Sequence, residues 1–170
     1  MTHKNRGKTA TPKPTFPAVE RTRVIHAPPA AVYRAWLDGS VVRQWMAPGD
    51  LRVLKIEIEE RIGGLYRIYQ GHDDVVMGGF DARILEMEAG RRLVFDWGWV
   101  GPDHHQGPKY DSRLTVEFAP APGGVTKLRL LHEKLDELNA GMPGVAELVG
   151  VGWEDVLEKL DQVIAMEGSA

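Results

Sequence analysis

Between residues 51 and 133 the chain alternates apolar and polar residues in one short run after another, each run ended by a glycine-rich or polar turn. That pattern fits successive half-buried strands and little else, because side chains along a strand point to opposite faces in turn. Leu54, Ile56 and Ile58 alternate with Lys55, Glu57 and Glu59. Gly63-Gly64 turns the chain into residues 65–70, and a loop at 71–74 leads to a strand over 75–88. That strand contains Gly78-Gly79, a pair that reads as a bulge bending it. After the Ala89-Gly90 turn, Leu93, Phe95, Trp97 and Trp99 share one face. A loop over 100–111, rich in Gly, Pro and His, precedes the alternation of Leu114, Val116 and Phe118. A turn over 119–124 then leads to Leu128, Leu130 and His132. About six strands joined by tight turns form an antiparallel meander.

The periodicity changes on both sides of the meander. Residues 144–166 repeat apolar side chains at Val145, Leu148, Val149, Gly152, Val156, Leu160, Val163 and Ile164, a helical spacing over some five turns. A helix with one apolar stripe must lie on something apolar, and the concave face of the sheet is the one surface large enough. Ahead of the meander, residues 21–26 read as a first strand. Pro28-Pro29 opens a helix with Val32, Tyr33, Trp36 and Leu37 on one stripe, since proline suits a helix's first turn. Asp38-Gly39-Ser40 breaks that helix, and a second short one spans 41–46 and stops at Pro48-Gly49.

With 170 residues the chain is expected to form one domain, over residues 20–166, with tails at 1–19 and 167–170. The first 19 residues carry Lys4, Arg6, Lys8 and Lys13 and no acid, so a tail of +4 leaves −7 on the rest of a chain whose net charge is −3. Such a tail buries too little to offset its ordering entropy and is read as disordered. An acidic body argues against nucleic acid as a partner. There is no cysteine, which removes thiol catalysis, disulfides and thiolate metal sites and fits a reducing, cytoplasmic setting. No stretch reaches the roughly 20 apolar residues of a membrane span, so no membrane partner is expected.

Several motifs go further. Ile25-His26-Ala27-Pro28-Pro29 is followed by Val32-Tyr33, Ala35-Trp36, Asp38, Trp45 and Pro48. Gly63-Gly64-Leu65-Tyr66 and Leu93-Val94-Phe95-Asp96-Trp97-Gly98-Trp99 come next, then Gly123-Gly124-Val125-Thr126-Lys127-Leu128 with His132, and finally Gly152-Trp153 with Leu157 and Leu160. In that order they resemble the helix-grip fold of the START/Bet v 1-like (SRPBCC) superfamily, in the branch named for homologues of the activator of Hsp90 ATPase. The resemblance implies an α+β fold: a curved antiparallel sheet of about seven strands wrapped on a long C-terminal helix, with two short helices after strand 1. It also implies an apolar cavity between sheet and helix.

The residues expected to line that cavity are Tyr66, Ile68 and Phe80 from the early strands and Phe95, Trp97 and Trp99 from the aromatic one. Leu114, Val116, Leu130 and His132 join them from the last strands, with Val149 and Trp153 from the closing helix. Small-molecule sites are mostly apolar with a few placed polar groups, and His132 is the candidate polar group. It either orients a carbonyl or hydroxyl, moves a proton, or is satisfied by a backbone carbonyl at its strand's end. Tyr66 and Tyr69 point to opposite faces, so at most one lines the interior. Neither His72-Asp73-Asp74 nor Asp103-His104-His105 converges as metal ligands do, so no metal is expected. Ser40, Ser112 and Ser169 lack a nucleophile setting, no glycine-rich phosphate loop is present, and no cofactor is called for. The expected function is binding of a small apolar or aromatic ligand without catalysis. The alternatives are a cyclase- or lyase-like enzyme using His132 or Tyr66, and an interaction module of the co-chaperone kind. Whether the chain is a monomer or homodimer stays open. The 100–111 loop and residues 138–143 are placed to gate the mouth.

Overall fold

Each period-two run forms a strand in the computed structural model, which describes residues 15–168. The elements run β1 (Val19–Ile25), α1 (Pro29–Leu37), α2 (Gly39–Trp45), β2 (Arg52–Ile58), β3 (Leu65–His72) and β4 (Val75–Glu88). Then come β5 (Arg92–Val100), β6 (Lys109–Tyr110), β7 (Arg113–Ala121), β8 (Val125–Glu133), α3 (Asp136–Gly141) and α4 (Pro143–Gly168). The sheet is antiparallel in the order β1-β8-β7-β5-β4-β3-β2, with β6 paired to β5. β1 and β2 therefore sit at opposite edges although only the two short helices separate them in the chain. Those helices carry the chain from one edge to the other.

Asp38 ends α1 and starts α2 at once. Its carboxylate accepts from the Ser40 N–H at 3.0 Å and the Ser40 hydroxyl at 2.7 Å, so α2 begins at Gly39 and not two residues later. Val32, Tyr33, Trp36 and Leu37 are all buried, as their stripe requires. Trp36 and Trp45 meet edge to face with centroids 4.9 Å apart.

Two elements had no periodicity to announce them. β6 is only two residues long and lies inside the 100–111 loop, where Tyr110 pairs with Trp99 and Lys109 with Val100. α3 is six residues, started by Asp136 and Glu137 in its first turn, on the approach to α4. A register shift in β2 between Val53 and Lys55 buries Val53 and leaves Ile56 and Ile58 half-buried, so the inward set expected of that strand is altered. In β4 one shift falls where expected, beside Gly78-Gly79, and a second falls between Ile84 and Glu86. Gly79 is required there because a Cβ would stand 2.1 Å from the Ile68 carbonyl oxygen.

α4 lies against α1, α2, α3 and β1. Ala146, Trp153, Val156, Leu157, Leu160 and Ile164 form its buried face. Leu148, part of the expected stripe, is instead 63% exposed, because the first half of α4 stands off the sheet. Residues 1–14 of the expected tail lie outside the described residues. Val19, its last residue, opens β1 opposite His132, and the Phe16 N–H donates to Asp136 Oδ1 at 2.7 Å. Among the described residues no helix is long and apolar enough to cross a membrane.

Candidate functional site

Cross-strand register sets the aromatic side chains in rows. Ile68, Phe80 and Trp99 pair across β3, β4 and β5, and Tyr66, Ala82 and Trp97 form the next row. Residues paired this way point to one face. Between these rows and the first half of α4 lies a cavity of about 380 Å³. Phe80, Trp97, Trp99, His132, Val149 and Trp153 line it. The other six candidates do not. Tyr66, Ile68, Phe95, Leu114, Val116 and Leu130 are fully buried beneath other side chains. For Phe95 and Tyr66 the reason is Trp36. From α1 it stacks on Trp153 at 6.0 Å and reaches Phe95 at 6.3 Å, while the Tyr66 hydroxyl donates to its carbonyl at 2.6 Å. It closes that part of the groove, and the opening left over lies toward β3, β5 and the start of α4.

His132 is 3% exposed and has both ring nitrogens occupied. An indole N–H can only donate, so the 3.0 Å contact from Trp153 Nε1 makes His132 Nδ1 an acceptor and puts the ring proton on Nε2. Nε2–H then donates to Ser112 Oγ at 2.8 Å, and the Ser112 hydroxyl donates to the Trp97 carbonyl at 2.7 Å. Every hydrogen in this chain has an acceptor. Burial pushes the imidazole's pKa from its ordinary 6.5 down to about 3, so the ring is neutral. Tyr66 has its hydroxyl likewise spent, and burial raises its pKa far above the ordinary phenol.

Ser112 and Gln70 are buried polar residues of the cavity wall that the chemistry of the sequence did not single out. Parity would have found both, since Ser112 precedes Leu114 by two and Gln70 follows Ile68 by two. Gln70 Nε2 donates to the Met46 carbonyl at 2.8 Å, which ties β3 to the loop after α2. Met46, Pro48 and Leu51 from that loop form one side of the mouth. Val145, Leu148 and Val151 of α4 and Leu138 of α3 form the rest, with Leu148 and Val151 more than 60% exposed. The 138–143 segment thus contributes Leu138; the 100–111 loop contributes no lining residue. α4 holds the opposing loop in place: Lys159 Nζ donates to the Ala47 and Gly49 carbonyls at 2.6 and 2.7 Å, and Asp155 accepts from the Gly49 N–H at 2.6 Å.

Two indole N–H groups on the lining residues, Trp97 Nε1 and Trp99 Nε1, are buried without an acceptor among the described residues. Each such donor costs about 1–3 kcal/mol relative to a paired one. A second hollow of about 400 Å³ is polar, with Asp96, Asp111, Asp136 and Glu137 facing Arg113 and Lys134, and it shares Ser112 with the first. Burial and the neighbouring Asp111 raise the Asp96 pKa. On the outer face Tyr69 donates to Asp81 at 3.0 Å and packs on His104 at 4.6 Å between centroids, so Tyr66 and Tyr69 do take opposite faces. Among the described residues no three His, Asp or Glu converge as metal ligands would.

A sheet curled on a long closing helix, with a helix pair inserted after the first strand, defines the helix-grip class of SRPBCC proteins. Within it the chain belongs to the activator of Hsp90 ATPase homolog 1-like family, whose model matches residues 26–165. Protein CV1439 from Chromobacterium violaceum is similar at 27% identity, over 86% of this chain and 95% of that one, with a TM-score of 0.68. Protein NE0264 from Nitrosomonas europaea shares the fold at 16% identity and a TM-score of 0.71, over 90% of this chain and 97% of that one. DynU16, a protein in the dynemicin biosynthetic locus, does so at 21% identity and a TM-score of 0.62, over 87% of this chain and 47% of that one. No curated protein is significantly similar in sequence.

Proposed function

We propose that this protein binds a small apolar or aromatic molecule in the cavity beneath the first half of α4 and carries out no acid–base chemistry on it. The observation that carries this reading is the state of His132. It is the one titratable side chain of the cavity wall, and both of its nitrogens are already bound to protein. A general acid or base needs a free lone pair or proton at the reacting atom, and here neither is available. Tyr66, the other candidate for moving a proton, does not reach the cavity. The volume falls within the range of ligand sites, about 300–1,000 Å³, and the wall is aromatic and aliphatic with few polar atoms. The place of the structurally similar DynU16 in a biosynthetic locus supports a small molecule as the guest.

The test uses Gly152, which faces the cavity and where an added Cβ meets nothing within 4 Å. The neutral fluorophore N-phenyl-1-naphthylamine is expected to brighten on binding the native protein. Gly152→Phe fills the cavity from α4 and should abolish the signal while leaving the melting temperature unchanged or higher, since glycine is a poor helix former. Absence of binding by the native protein, or undiminished binding by the variant, would refute the proposal.

A further inference from the structure

Resting on that reading, we infer that the guest carries one neutral hydrogen-bond donor, a hydroxyl of the phenol or alcohol kind, and that Gln70 Oε1 receives it. The cavity-lining side chains that contain nitrogen or oxygen are those of Gln70, Trp97, Trp99, Ser112, His132 and Trp153. Trp153 donates to His132, and His132 donates to Ser112, so those three are bonded within the wall. The indole nitrogens of Trp97 and Trp99 are sealed beneath neighbouring atoms and do not meet a guest. Gln70 is left.

The fold aims its oxygen. Alternation along β3 puts Gln70 on the inward face with Tyr66 and Ile68, and the side chain is 3% exposed. Its partners across the sheet are Val53 on β2 and Gly78 on β4. Neither side chain supplies a donor, and on the Gly78 side no side chain covers the amide. The Met46 carbonyl accepts from Nε2 at 2.8 Å, which fixes which end of the amide is nitrogen and holds the group in place. Oε1, on the other side of the amide carbon, has no donor among the described residues, yet it is not sealed as the indole nitrogens are. In a side chain that lines the cavity and is otherwise enclosed, that open surface faces the cavity.

The chemistry of the guest follows. A buried carbonyl oxygen without a donor is destabilising, and a guest hydroxyl relieves it. An ether or ketone sets acceptor against acceptor. A carboxylate does the same and adds a charge, and an ammonium group would be buried beside a wall with no charged residue to balance it.

The matched set 4-tert-butylphenol, 4-tert-butylanisole and 4-tert-butyltoluene tests this, since one body carries a hydroxyl, a methoxy or a methyl group. Binding is read by displacement of N-phenyl-1-naphthylamine, corrected for that fluorophore's own affinity for each variant. Gln70→Met keeps the side chain's length and removes both polar atoms. It should weaken the phenol about fivefold and leave the anisole and toluene within about twofold. The phenol should also move the Gln70 side-chain ¹H–¹⁵N resonances of the native protein downfield, and the toluene should not. Equal weakening of phenol and toluene, or a phenol that binds the native protein without moving those resonances more than the toluene does, overturns the donor assignment and leaves the cavity reading standing. Failure of the phenol to displace a fluorophore that does bind overturns it too. If the fluorophore itself does not bind, the cavity reading falls and this inference with it. Should Gln70→Met fail to fold, the resonances of the native protein decide the matter.

Discussion

Replacing Ser112 by alanine removes one oxygen from the middle of a buried chain of hydrogen bonds, and its cost can be worked out atom by atom. The Trp97 carbonyl keeps a partner, because the Ser112 backbone N–H still donates to it at 3.1 Å. Trp153 keeps His132 Nδ1 as its acceptor. The loss falls on His132 Nε2–H, which is left buried with nothing to bond. The ring cannot escape by moving its proton to Nδ1, since that would set two N–H groups against each other. An orphaned buried donor costs about 1–3 kcal/mol, so Ser112→Ala should lose about 2 kcal/mol. For a chain of this size that is about 4–8 °C in melting temperature. Urea unfolding should show a lower midpoint with an unchanged slope. The double variant Ser112→Ala with His132→Phe should cost at least about 1 kcal/mol less than the two single costs added, because the phenyl ring has no donor to orphan. A single-variant loss below about 0.5 kcal/mol, or strict additivity, would refute the hydrogen-bond assignment and the tautomer that rests on it.

Other expectations follow from features already described. The unfolded chain protonates His132 near pH 6.5 and the folded protein only near 3, so stability is full above 6.5 and declines as pH falls through that window, by at most about 1.4 kcal/mol per pH unit. His132→Phe should flatten the dependence there, and urea midpoints measured from pH 7 to 4 would check it. Gly79→Ala should cost about 3 kcal/mol, since its methyl would collide with the Ile68 carbonyl in the middle of the sheet; an urea midpoint near the native one would contradict this. Leu148→Ser at the mouth should change stability by less than about 0.5 kcal/mol yet weaken N-phenyl-1-naphthylamine binding about fivefold, measured by fluorescence titration. Lys159→Met should speed both entry and release of that fluorophore in stopped-flow, because the loop at 46–51 loses two anchors while the side chain keeps its length.

The sheet, the helix pair and the closing helix were legible because each rests on a periodicity repeated several times. Phe95, Trp97 and Trp99 could be placed on one face by counting in twos. Counting could not show that Trp36 comes down over Phe95 while Trp97 lines the cavity, because that depends on where α1 crosses the sheet, a contact between distant parts of the chain. The same limit explains His132. Its inward direction was readable from Leu128 and Leu130, whereas its partners Ser112 and Trp153 belong to β7's approach and to α4. Leu148 misled for a local reason. It keeps the helical period of a core residue, but the surface below it is the cavity mouth and not the sheet.

Among the described residues β1 finds its only sheet partner in β8, with Val19 opposite His132, so the strand that opens the domain is among the last to be placed. Pairing of this reach carries a large loop-closure entropy and slows folding. On the ribosome the N-terminal strand must wait, edge unpaired, until almost the whole domain has emerged. The chamber waits longer still, because its second wall, with Trp153, comes from α4, which follows β8 in the chain.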